Sequence, residues 1–546
     1  MNYRYFRLIN LSFMKKHLFF ATLLFSTISF AQKKIPDNWQ TLDPKKDKVY
    51  GVGSEEAYKT LAGKTSKTVI VAVIDSGVDP DHEDLKDVIW KNPGEIAGNE
   101  IDDDKNGYVD DVNGWSFLGG KNGDINNEAT ELARIVQKGN KKYRDLVDPS
   151  VLTADESKSY QEYKKLKEKF TVELIDQERQ LQGIDMVSDY LGKVKKQNNG
   201  VLNKEAFKNY VPENEIEKEL NKNFKLAFTF GVKIEDIEEQ LSEGKEHFGT
   251  MVKYNKLDSD SMRTYLVGDN VNDPNERYYG NNHVQGPDAR HGTHVAGIIA
   301  AMRDNNLGMK GIASNVKIMI VRAVPNGDER DKDVANAIRY AVDNGATVIN
   351  MSFGKYYSPD KKLVDDAVKY AQSKDVLLIH AAGNESKDND VELSFPCREL
   401  SSGEIASNWI QVGANGYKKG KNIIGSFSNY GKKKVDLFAP GVDVYATVPG
   451  SKYESLSGTS MASPSTAGVA AIVRSYFPEL KAEEVKAVLM KTVVPYSRKV
   501  NVPGLRKAKF LRKNKTRAVK KKVTEICISG GFVNVNNAAI ELLKKK

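Results

Sequence analysis

Gly458-Thr459-Ser460-Met461-Ala462-Ser463-Pro464 sets a serine among small residues, and an apolar, alanine-rich run from Ala467 to Val473 follows it. The pattern predicts a helix opening at or near Ser460. Pro464 falls inside the first turn, where a missing N–H costs little. A serine there exposes its hydroxyl beside a free backbone N–H, and the helix dipole puts partial positive charge where an oxyanion would form. That suits a nucleophile. An ordinary serine cap with small residues for packing would look the same locally.

Two further stretches bear on the choice. Val69-Ile70-Val71-Ala72-Val73-Ile74-Asp75-Ser76-Gly77 is a short β-branched run that reads as a buried parallel strand. Asp75 stands at its carboxyl end, where open α/β sheets place their sites. His291-Gly292-Thr293-His294-Val295-Ala296-Gly297 leads into Ile298-Ile299-Ala300-Ala301 and puts a histidine at the start of a small-residue helix. An aspartate, a histidine and a serine thus follow one another, each at the end of an element.

These stretches together resemble the subtilases, the subtilisin-like serine proteases, whose catalytic residues come in that chain order. The resemblance spans roughly residues 48–118 and 285–546. It implies that Asp75, His291 and Ser460 form the triad, and that Asn384, in Ala381-Ala382-Gly383-Asn384, donates to the oxyanion. It further implies that Asn350-Met351-Ser352-Phe353-Gly354 is an edge pairing with substrate backbone, with Ser352, Phe353, Gly354, Ala382 and Gly383 binding substrate. The implied function is an exported serine endopeptidase acting on polypeptides. A non-catalytic peptide binder on the same fold is the competing class, but a pure binder has no physical need for all four catalytic groups.

The fold expected is α/β, a doubly wound and mostly parallel sheet, with a large helical insertion between Asp75 and His291. Strands at Lys317–Val321, Ala346–Met351 and Val376–Ile379 alternate with helices at Asp333–Asn344 and Lys362–Ser373, the βαβ pattern of such a sheet. Ile410–Ala414, Asp436–Phe438 and Val444–Thr447 read as further short strands. At 546 residues the chain has room for more than one domain. Residues 32–120 and 285–546 are assigned to the catalytic domain. Residues 121–284 form the inserted subdomain, which as a helical unit must bury something. Its stripes are Tyr163, Leu166, Phe170 and Leu174, then Ile216, Leu220, Phe224 and Phe228, then Ile234, Ile237 and Leu241.

Residues 1–31 read as a signal peptide: Lys15-Lys16, an apolar run from Leu18 to Phe30, then Ala31. The run is short for a membrane span, so export to the periplasm or the medium is expected. Asp102-Asp103-Asp104-Lys105-Asn106-Gly107-Tyr108-Val109-Asp110-Asp111 sets oxygen ligands at alternate positions with a glycine for the turn, a pattern suited to Ca²⁺. Asp102, Asp104 and Asn106 would ligate by side chain, Tyr108 by its carbonyl, and Asp110 or Asp111 would complete the shell. Asn113 stands where an EF-hand requires glutamate. A solvated acidic turn is the alternative, although carboxylates packed so densely repel one another unless neutralised.

Export permits a Cys397–Cys527 disulfide, and two separate thiols fit equally well. The net charge is +9, and residues 498–522 carry twelve Lys/Arg and no acid, more than the whole excess. This run reads as an exposed, solvated loop before a final helix, Asn537–Leu543. It lacks the interleaved aromatics of a nucleic-acid surface, so no nucleic-acid partner is expected. Weak contact with anionic surfaces stays open.

Overall fold

The computed structural model describes residues 35–36, 38–229, 231–508 and 516–544. The expected signal peptide and residues 509–515 of the basic run lie outside them. Two compact units divide the chain, one built from Pro36–Glu131 and Ser259–Lys546, the other containing Leu132–Asp258.

The first unit is organised by a nine-stranded sheet. Its strands are β1 (Val69–Asp75), β2 (Gly114–Ser116), β3 (Val316–Arg322), β4 (Val348–Met351), β5 (Leu377–Ala381), β6 (Trp409–Asn415), β7 (Leu437–Pro440), β8 (Val494–Pro495) and β9 (Gly531–Phe532). Their order is β8-β9-β7-β6-β5-β4-β1-β3-β2, parallel throughout except for β8 against β9. The chain passes from β1 to β3 on one side and then crosses to β4 on the other. The sheet's switch point therefore lies at the end of β1, where open α/β sheets bind ligands.

Both faces of this sheet are covered, which is why its strands read as continuous apolar runs. Ala72 and Ile74 share a core with Met319, Val321, Ile349 and Met351. Val334, Ile338 and Tyr340 of the helix Asp331–Asp343 and Val364 and Val368 of Lys361–Ser373 close that core. The opposite face carries α1 (Arg290–Ala300) and α2 (Thr459–Tyr476), which pack on each other. From Thr459 to Ser475, every residue of α2 is buried except Ser460.

Several expectations need correction. Val444–Val448 does not extend the sheet; it pairs only with Lys452–Leu456, antiparallel. The basic run is not a plain loop, because Val500–Ala508 and Thr516–Lys521 form an antiparallel hairpin. Its base is anchored by Val500 and Val502, which join a core with Tyr496 and Phe532. Of the two cysteine readings left open, the separate thiols hold: Cys397 and Cys527 are free and buried, and burial pushes each thiol up to about 11.

The helical unit is built on Ala154–Gln197, Glu215–Thr229 and Ile234–Lys256. Thr153 and Glu156 form a reciprocal capping box that starts the first and longest helix. Its core uses Ile184, Val187, Tyr190 and Leu191 with Phe224, Phe228, Ile237 and Leu241. Tyr163, Leu166, Phe170 and Leu174 are only half-buried, so the core occupies the later half of the long helix rather than the expected earlier stripe.

One buried ionic group in the first unit left no mark in the sequence. The Arg263 guanidinium, with no exposed side-chain surface, donates Nη1 and Nη2 to the two oxygens of Asp333 at 2.8 and 2.7 Å. Its Nε donates to Asp269 at 2.8 Å, and the Tyr279 hydroxyl donates to Asp333 at 2.6 Å. Removing the cation leaves the Asp333 carboxylate buried without its counter-charge, while Asp269 keeps Lys332 at 2.6 Å. Arg263→Ala is expected to cost about 3–5 kcal/mol of stability, read as a lowered urea midpoint at unchanged slope; a midpoint equal to wild type would show the group to be solvated.

Candidate active site

The carboxyl ends of β1, β4 and β5 and the amino ends of α1 and α2 bring the expected residues to one edge of the sheet. Asp75 ends β1 and is 2% exposed. Its Oδ1 accepts from the Ser76 N–H at 2.8 Å and from His291 Nδ1 at 2.7 Å. With Nδ1 donating, the lone pair of His291 lies on Nε2. The His291 side chain is 39% exposed, so that nitrogen can meet a substrate. Glycine at position 292 permits the close approach of α1 to this strand end, because a methyl group there would lie 2.1 Å from the Gly77 carbonyl oxygen.

The same motif holds a second histidine, and the structure separates the two. His294 is fully buried, its Nε2 lies 3.2 Å from the Glu454 carbonyl oxygen, and burial drives its pKa down to about 3. It stays neutral and holds structure. For His291, burial also works against the cation, but the charge of Asp75 and its hydrogen bond outweigh this and raise the pKa above the ordinary 6.5.

Ser460 opens α2 with its hydroxyl donating to the Ser352 carbonyl at 3.1 Å, not to His291. In return, the Ser352 hydroxyl donates to the Ser460 carbonyl at 2.9 Å. Asn350 Nδ2 holds the Ser352 oxygen at 3.0 Å, and the Ser463 hydroxyl holds Asn350 Oδ1 at 2.8 Å. This chain of bonds ties the end of β4 to the first turn of α2.

Asn384 follows β5. Its Oδ1 accepts both the backbone N–H and the hydroxyl of Thr459, at 2.8 and 3.0 Å. The Thr459 oxygen in turn accepts from the Gly383 N–H at 3.1 Å. Anchoring Oδ1 leaves the amide Nδ2 as the outward donor. A methyl group at Gly458 would lie 3.5 Å from that Nδ2 and 3.6 Å from the Ser460 nitrogen, so two N–H donors border one space. Thr459 is the positioning residue that sequence reasoning missed. Its type is ordinary for a helix start, and only its reach to Asn384 gives it a role.

Of the expected substrate-binding residues, Ser352, Phe353 and Gly354 run on from β4, and Ala382 and Gly383 from the neighbouring β5. Among the described residues, the Gly354 N–H and C=O have no hydrogen-bond partner, whereas the next residue, Lys355, exchanges backbone bonds with Phe395 at 3.0 and 2.8 Å. A backbone N–H and C=O left open near the serine could pair with another chain.

The acidic loop differs in part from expectation. Carboxylate oxygens of Asp104, Asp111 and Glu95 lie within 4.8 Å of one another. Glu95, upstream of the acidic run, was not anticipated. Asp102 instead caps the Asn106 and Gly107 N–H groups, and Asp110 caps those of Gly98 and Glu100. Asn106 donates Nδ2 to Asp104 and Asp111, while its Oδ1 accepts from the Tyr108 N–H. The Tyr108 ring is buried against Trp115 and Tyr340. Burial, together with the Asp104 charge and against hydrogen bonds from Tyr340, Asn92 and Asn106, raises Asp111 to about 6. Three crowded carboxyl groups, one pushed towards protonation, fit a hard cation with oxygen ligands.

The Subtilase family model matches residues 66–523. The thermophilic serine proteinase of Bacillus sp. (strain AK1) is 42% identical over 221 residues, 40% of this chain and 48% of that protein. Subtilisin DY of Bacillus licheniformis is 37% identical over 204 residues, 37% of this chain and 69% of that protein. The major intracellular serine protease of Bacillus subtilis (strain 168) is 36% identical over 214 residues, 38% of this chain and 63% of that protein. The chain thus spans about half the length of the first of these relatives.

The Asp75–His291 pair makes a titration prediction. Since the folded-state pKa is raised, the stability it supplies is full below 6.5 and fades as pH rises through the folded midpoint. NMR titration of the His291 ring is expected to give a midpoint above 6.5 in wild type and below 6.5 in Asp75→Asn, where burial and the Arg290 charge outweigh the Asp288 charge. An unchanged midpoint in the variant would mean that the carboxylate does not hold the imidazolium.

Proposed function

The chain belongs to the subtilase family, and from that premise we propose that it is an exported serine endopeptidase working through an acyl-enzyme. One observation carries the reading. The single accessible residue in the buried run Thr459–Ser475 is Ser460, and it lies where the Asn384 amide and its own N–H border a common space. The Asp75–His291 pair, at the end of β1, supplies the base.

In this reading substrate backbone pairs along Gly354 and brings a peptide carbonyl to Ser460. The serine hydroxyl turns from the Ser352 carbonyl to His291 Nε2, gives up its proton there and attacks the carbonyl carbon. Asp75 fixes the tautomer that leaves Nε2 free and stabilises the imidazolium once formed. Asn384 Nδ2 and the Ser460 N–H receive the oxyanion. His291 then protonates the leaving amine, and water attacks the acyl-enzyme by the same route in reverse. The helical unit stands in this account as an insertion between Asp75 and His291. Export rests on the leader Leu18–Phe30; among the described residues no helix is long and apolar enough to cross a membrane.

Wild type is expected to take a fluorophosphonate label that Ser460→Ala does not, with peptide hydrolysis lost in that variant. Asn384→Ala is expected to keep the label site but lower kcat about 10²–10³-fold at little change in KM. Labelling that persisted without Ser460 would sink the assignment.

Asp104, Asp111 and Glu95 would hold a calcium ion whose contribution is charge neutralisation in the loop; it takes no part in the chemistry. Calorimetry on chelator-stripped protein is expected to show Ca²⁺ binding. A hundredfold excess over Kd should add about 2.7 kcal/mol of stability. The combined variant Glu95→Gln, Asp104→Asn, Asp111→Asn should neither bind nor gain stability. Equal melting temperatures of wild type with and without Ca²⁺ would rule the ion out.

A further inference from the structure

The basic hairpin is placed by two contacts. Gly504, at φ +66°, lies so close to Ser386 that a methyl group there would fall 2.7 Å from the Ser386 carbonyl oxygen. Ser386 is two residues beyond Asn384, so the hairpin flanks the loop that carries the oxyanion-side amide. At its base, Asn501 donates its N–H to the Lys421 carbonyl at 2.7 Å, and the Tyr496 hydroxyl bonds Gly420. This joins the hairpin to a second basic segment.

Arg506 and Lys520 share one face of the hairpin and Arg517 stands on the other; all three are exposed, as are Lys418, Lys419 and Lys421 of that segment. Among the described residues, none of the six forms an ion pair. Acids nearby are engaged elsewhere: Glu385 accepts from Tyr356 and Asn429 at 2.7 and 2.9 Å, Glu392 pairs with Lys387, and Asp390 caps the Lys433 and Lys434 N–H groups. The result is a basic patch spread over the hairpin and the neighbouring segment, beside the catalytic loop and without ion pairs of its own among the described residues.

We propose that this patch is a docking surface for acidic stretches of the polypeptide substrate, outside the bond that is cut. The proposal rests on the peptidase reading. A chain lying along Gly354 must leave the cleft past neighbouring loops, and cations there would raise its encounter rate and hold its acidic segments. A lipid surface fits less well. Leu505 is the one large exposed apolar side chain among the described hairpin residues, and interfacial binding draws on buried apolar area.

The test uses one cleavable peptide, bare or extended by an Asp/Glu tail or by an Asn/Gln tail of equal length. Wild type is expected to favour the acidic over the neutral tail about tenfold in kcat/KM at low salt, and this preference should vanish near 1 M salt, where the screening length is about 3 Å. The variant Arg506→Gln, Arg517→Gln, Lys520→Gln should lose the preference yet cleave the bare peptide as wild type does. Lys418→Gln, Lys419→Gln, Lys421→Gln should behave alike and guards against a hairpin that fails to fold. Equal rates on the two tails, or a preference retained in both variants, would overturn the proposal. So would equal rates together with patch-dependent binding to phosphatidylglycerol vesicles, which would assign the surface to lipid. Failure to cut even the bare peptide would instead defeat the peptidase reading; fluorescence anisotropy of the labelled acidic tail, wild type against variants, would then decide the patch alone.

Discussion

The hydrogen bond between Asp75 and His291 is the contact on which the site depends, and its partners are 216 positions apart in the chain. No local preference can form it. It exists because β1 lies between β3 and β4 at the switch point of the sheet, and because α1 begins hard against the turn after β1. The bond joins a carboxylate that is almost fully buried to an imidazole that is well over a third exposed. That asymmetry has a consequence: the bond forms where water screens it little, and the imidazole's other nitrogen stays open to solvent.

Around this contact the polar groups are fixed from behind. Thr459 holds the carbonyl side of Asn384, so its N–H₂ faces out. Ser463, Asn350 and Ser352 run as a relay from the body of α2 to the Ser460 carbonyl. These supports are themselves buried, so the low dielectric strengthens their bonds and leaving one unmade is costly. A helix of small residues makes this possible, because Ala462, Ala467, Ala470 and Ala471 let α2 sit directly on the sheet. Up to Ser475, only the residue at its mouth is left accessible.

Much of this was legible in the sequence, for a physical reason. Strands buried on both faces are short apolar runs, and Val69–Ile74 or Val376–Ile379 could hardly be anything else. A polar residue at the end of such a run, or opening a helix of small residues, is conspicuous, which is how Asp75, His291 and Ser460 announced themselves; Asn384 was marked by the resemblance to the subtilases. What stayed hidden was decided by distant partners. Nothing local tells that Arg263 will meet Asp333, that Glu95 will fold back onto Asp104 and Asp111, or that Thr459 will reach Asn384. The stripe from Tyr163 to Leu174 shows the converse limit. Its period is helical and its helix is real, but periodicity does not say which half of a long helix will receive neighbours, and the core formed from Ile184 onwards. The hairpin at Val500–Ala508 was obscured by its lysines and arginines, since alternation of charge with small residues resembles solvated coil until the partner strand is known.

The protein's charges are handled in three different ways, and the contrast separates structure from function. Arg263 meets Asp333 and Asp269 inside the core, where each charge has its opposite and the group is closed to ligands. The carboxylates of Glu95, Asp104 and Asp111 crowd together with only amide and hydroxyl donors between them, which leaves negative charge uncompensated in a partly buried loop. Arg506, Arg517, Lys520 and the lysines of Lys418–Lys421 lie exposed and, among the described residues, form no ion pair. A closed group needs nothing further. An open group of one sign raises the free energy of the folded chain through self-repulsion, and that cost falls when a partner of opposite charge arrives. A compact cluster of oxygen atoms matches a small cation; a spread row of side chains on a hairpin matches an extended polyanion.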